Sequence, residues 1–79
     1  MSVPAREAFA ARLNEVRLAR HLSISAVAKL AGVPKATAQG WLNGTRLPQP
    51  ALRPRYLKLV EELGLSDELP EGLWLNNWA

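Results

Sequence analysis

The chain has no cysteine in its 79 residues, which excludes disulfides and thiolate-bound metal. It has one histidine, His21, so an imidazole metal cluster is excluded as well. At the end of a helix, that residue reads as a surface or capping group. The acidic pair Glu61 and Glu62 has no base or metal partner at a useful spacing and reads as a solvated face. No glycine-rich phosphate loop occurs. The sequence is therefore read as a non-enzyme with no catalytic residues, no cofactor, no metal and no identifiable small-molecule ligand. No apolar run approaches the roughly 20 residues of a membrane span. The start, "MSVPAREAF", lacks the basic beginning and apolar core of a signal peptide. A cytoplasmic location without membrane contact is expected. Strand signals are missing too: β-branched residues are few and nowhere alternate with polar ones.

Basic residues are missing from one end only. All ten Lys and Arg fall in residues 1–58, beside two acids, Glu7 and Glu15, a formal +8. Residues 59–79 hold five acids and no Lys or Arg, a formal −5. Such a split suits a basic surface for a polyanion, with an acidic end facing away.

The apolar residues recur at helical spacing, which predicts an all-α fold: a small bundle of four to five helices in one domain, residues 1–79. The first helix is expected over Pro4–Arg20, with Phe9, Leu13 and Val16 inward. The second is expected over Ile24–Ala31, with Ser23 as N-cap. Gly32 then makes a left-handed turn and Val33 plugs the core. The third helix runs from Pro34 or Lys35 to Leu42, burying Ala38, Trp41 and Leu42, and Asn43-Gly44 ends it. A proline-punctuated link, "TRLPQPALRP", leads to a fourth helix over Pro54–Leu63, stopped by Gly64. A fifth, from Ser66 or Glu71 to Trp78, is expected in the apolar C-terminal segment 66–79.

Residues 24–43 carry a specific pattern. Ala28 stands where two helices cross, Gly32 follows four residues later, and Val27, Ala31, Val33, Ala38 and Trp41 fill interior positions. A close crossing admits only a small residue, the turn needs positive φ, and the rest fix the angle of the third helix. This arrangement resembles the helix-turn-helix of the lambda repressor/Cro-like, or XRE, family, and the likeness extends over roughly residues 9–69. The resemblance implies a bacterial or phage transcription regulator of repressor type that binds double-stranded DNA. Its recognition helix, residues 34–42, would enter the major groove.

The resemblance assigns Lys35, Ala36, Thr37, Gln39 and Gly40 to the groove-facing set. Lys35 is expected to donate to guanine, Gln39 to read adenine or touch a phosphate, and Ala36 to meet a thymine methyl. Thr37 offers a hydroxyl or a methyl. On the groove side, Gly40 is expected to let the helix sit closer to DNA. Phosphate contacts are expected from Asn43, Thr45 and Arg46 after the helix, and from Ser23 and Ser25 at the start of the second. Arg17 and Arg20 on the first helix, and Arg53 and Arg55 in the link, extend that set.

Four positions depart from the family pattern. Ile24 replaces a phosphate-binding Gln, and Pro34 replaces a side-chain cap. Leu42 replaces a Glu that pairs with an Arg of the first helix, leaving Arg17 for DNA, Glu15 or solvent. Leu30 stands at a position usually polar. Leu30, Leu69, Leu73, Trp74 and Trp78 have two readings: packing of the tail onto the core, or a homodimer surface. A second functional reading stays open, a helical protein-interaction module, antitoxin-like or the N-terminal docking part of a larger regulator.

Overall fold

The computed structural model describes residues 5–69, with side chains from Glu7 onward. Among the described residues four α-helices form: α1 (Ala5–Ala19), α2 (Ile24–Ala31), α3 (Lys35–Asn43) and α4 (Arg53–Glu62). Two short 3-10 turns, Pro50–Leu52 and Ser66–Glu68, precede and follow α4. No strand occurs among the described residues. The all-α expectation holds, with the ends of the first four helices moved by a residue or so; a fifth helix beginning at Ser66 does not form within the described residues, where Ser66–Glu68 is a single 3-10 turn and Leu69 is extended. The start expected at Pro4, and the part of the fifth helix beyond Leu69, lie outside the described residues. Leu73, Trp74 and Trp78 lie there too.

Each helix buries the stripe its sequence spacing predicts. Phe9 and Leu13 of α1 are buried, and Val16 packs half-buried against them. Val27, Ala28 and Ala31 of α2 meet Ala38, Trp41 and Leu42 of α3 in one core with Tyr56, Leu59, Val60 and Leu63. The Trp41 and Tyr56 rings meet edge to face, centroids 5.1 Å apart at 82°, a geometry favoured by the ring quadrupoles. Burial in this apolar core pushes the Tyr56 phenol well above its ordinary range, because the phenolate loses its water. Leu30 and Leu69 are half-buried and pack against the same core.

Three helices end by the same device, a left-handed residue followed by an apolar one. After α1 it is His21 (φ 57) with Leu22, whose N–H donates to the Arg17 carbonyl at 3.0 Å. After α2 it is Gly32 (φ 71) with Val33, bonded to Ala28 O at 3.0 Å. After α4 it is Gly64 (φ 72) with Leu65, bonded to Val60 O at 2.9 Å. The left-handed residue reverses the chain, and the next side chain drops into the core beside the helix it has left. Each reversal thereby fixes where the following segment starts.

Candidate nucleic-acid interface

The α2–turn–α3 unit is built from both ends. Ser23 Oγ accepts the Ala26 N–H at 3.0 Å and starts α2. The Gly32 N–H donates to Ala28 O at 2.8 Å and Lys29 O at 3.2 Å, closing it. Pro34 then opens α3 in extended geometry with no side-chain cap. Its carbonyl accepts from Thr37 N–H at 3.0 Å and Ala38 N–H at 3.1 Å. No described side chain accepts from the amides of Lys35 and Ala36 ahead of them. The positive end of the helix dipole is thus left for an external acceptor.

The outer face of α3 is small and polar. Lys35, Ala36 and Gln39 are exposed, and Thr37 is half-buried. Gly40 corrects the expectation of an open groove-facing position: it is buried, and Arg46 covers it. A methyl built on Gly40 would lie 2.7 Å from Arg46 Cγ and Cδ. At the last residue of α3, exposed Asn43 holds the loop: its Oδ1 accepts from Thr45 N–H at 3.0 Å and from Thr45 Oγ1–H at 2.6 Å. That engages the acceptor and leaves the amide N–H groups for an anion.

The arginines divide into two groups. Arg17, expected to be free for DNA or Glu15, is half-buried: Nε donates to Asn14 Oδ1 at 2.9 Å and Nη1 to Leu22 O at 2.8 Å. It holds the α1–α2 link. Arg20 donates from Nη1 to Glu62 O at 2.8 Å and from Nη2 to Leu63 O at 3.4 Å, so it caps the end of α4. Arg12 binds Glu68, Nε to Oε1 at 2.9 Å, and also Glu15. Its pKa is raised, chiefly by the hydrogen bond to Glu68. The acidic end therefore does not simply face away; it ties back onto α1. Arg53 is half-buried and engaged within the fold.

What is left is a second set of cations. Lys29, Lys35, Arg46, Arg55 and Lys58 are exposed and form no ion pair among the described residues. They lie on α2, α3, the loop after it and α4. Lys29, Arg55 and Lys58 border a cleft of about 250 Å³ beside Gly32. Lys29 and Lys58 were not among the residues expected to bind DNA. The signal for Lys29 was the lack of an acid at i±3 or i±4; Lys58 carried no such signal, because Glu61 and Glu62 follow it at i+3 and i+4. Ser23, Ser25 and Thr45 are exposed.

The described residues hold no cluster of His, Cys, Asp or Glu able to bind a metal ion. No described helix is long and apolar enough to cross a membrane. A family model described as a helix-turn-helix domain matches residues 8–71. No curated protein and no solved structure matches the chain.

Proposed function

The chain belongs to the helix-turn-helix domain family of XRE/lambda repressor-like type, and from that premise we propose that it is a sequence-specific, repressor-like regulator that reads double-stranded DNA with α3. The family is of a DNA-binding, non-catalytic type and points to transcription regulation. The observation that carries the finer reading is the segregation of charge. Arg12, Arg17 and Arg20 are held by carboxylates, carbonyls and an amide oxygen, while the exposed cations without acidic partners lie on and around α2 and α3. A phosphate backbone supplies what those cations lack, and releases counterions as it does so.

In this reading Lys35, Ala36, Thr37 and Gln39 face base edges in the major groove. Asn43, Thr45, Arg46 and Arg55 grip phosphates, with Ser23 and Ser25 at the start of α2. The Ser23 hydroxyl accepts from Ala26 N–H and still has its proton to donate. Arg17 and Arg20, bonded to the Leu22, Glu62 and Leu63 carbonyls, and half-buried Arg53 are left out of the phosphate set. Titration of the protein with mixed-sequence duplex at several salt concentrations tests the proposal. A log–log salt slope of several units is expected, about 0.9 per phosphate contact. No binding to any duplex at low salt would contradict it and favour a protein-interaction module.

A further inference from the structure

We propose that Gly40 is a positioning residue for Arg46, and that it serves DNA binding through that side chain and not by letting α3 approach the groove; the proposal rests on the DNA-binding reading above. At 100° per residue, Ala36, Gln39, Gly40 and Asn43 share one arc of α3. Three of them are exposed and Gly40 is buried. The cover is the root and stem of Arg46. A Cβ on Gly40 would lie 2.7 Å from Cγ, 2.7 Å from Cδ and 3.0 Å from Cβ of that residue.

These atoms cannot simply swing aside. The Arg46 N–H donates to the Gly40 carbonyl at 3.1 Å, which fixes the root of the side chain directly over the helix. Asn43 holds Thr45, the preceding residue, through two further hydrogen bonds. The methylenes of Arg46 therefore lie in a slot that any other residue at position 40 would fill. An apolar stem against the backbone and a guanidinium in water is the ordinary compromise of a long cation. Here it keeps the charge beside the exposed arc of α3 before any DNA arrives. Less side-chain freedom is then lost on binding. Close approach of DNA to Gly40 itself is a poor account of the glycine, because the space above it is already occupied.

Four proteins test this: wild type, Gly40→Ala, Arg46→Ala and the double variant. Each is checked for folding by circular dichroism, then titrated with a mixed-sequence duplex of about two helical turns over a range of salt. Arg46→Ala should lower the salt slope by about one unit and the affinity at 0.1 M salt about ten-fold. Gly40→Ala should reproduce most of both losses, and the double variant should bind no worse than Arg46→Ala. The proposal is overturned if Gly40→Ala leaves binding unchanged, or weakens it with the salt slope intact. It is also overturned if Gly40→Ala costs as much in the Arg46→Ala background as in wild type. Wild-type protein that binds no duplex at low salt would remove the DNA reading and this proposal together, a result distinct from those three.

Discussion

Replacing Gly32 by alanine tests the turn on which the α2–α3 angle depends. Gly32 sits at φ 71, ψ 38, where an L-residue with a Cβ is strained by about 1–2 kcal/mol. The new methyl would also run into Nη1 of Arg55, which lies over the glycine. That second contact involves the tip of a flexible side chain, so rotation of Arg55 relieves it cheaply. The backbone cost should dominate. A domain of this size has on the order of 5 kcal/mol of stability, so the variant remains folded. With a urea dependence of about 1 kcal/mol/M, the midpoint should fall by about 1–2 M. Gly32→Asn should lose less, because Asn tolerates the left-handed region. Gly32→Ala should cost nearly the same in an Arg55→Ala background. A neutral or stabilising Gly32→Ala would refute the reasoning. So would a loss that disappears once Arg55 is removed, since the strain would then be steric and not conformational.

Arg20→Ala should destabilise the fold by about 1 kcal/mol in chemical denaturation, through loss of the α4 carbonyl bonds. Its DNA salt slope should stay at the wild-type value, whereas a drop of one unit would return Arg20 to the phosphate set. Burial raises the Tyr56 phenol above its ordinary value of about 10, so the unfolded chain ionises first as pH rises. Stability should be level up to about pH 10 and fall above it by up to about 1.4 kcal/mol per pH unit. As the only tyrosine, its ultraviolet titration reads this directly, and a midpoint near 10 in the folded protein would contradict it. Lys35→Ala should relax preference at one base position, costing about 1–3 kcal/mol on the best site. An unchanged preference in a selection from random duplexes would remove Lys35 from the reading surface.

The fold was legible because its determinants are local. The spacing of Phe9, Leu13 and Val16 marks a buried stripe, and the pair Gly32-Val33 marks a reversal. The equivalent reversal at His21-Leu22 was harder to see, because a histidine at positive φ is recognised only once the chain is seen to turn. The site was legible in outline and not in detail. Charge counts along a sequence cannot separate Arg20, which caps a helix 42 residues away, from Arg46, which stays exposed. Arg12 and Glu68 likewise meet across 56 residues. The family resemblance places Gly40 in the groove-facing set, and helix periodicity agrees, since it lies on the outer arc. Its cover comes from the loop after α3, a contact no periodicity contains.

The central claim is that α3 and the loop after it form the DNA-contacting surface. Amide chemical shifts of the labelled protein, followed as a mixed-sequence duplex is added, measure that most directly. The largest changes should fall on Lys35–Gly40 and Asn43–Arg46, with smaller ones at Ser23–Ala26. Changes concentrated on Glu61–Glu68, or none on α3 at saturating duplex, would contradict the account.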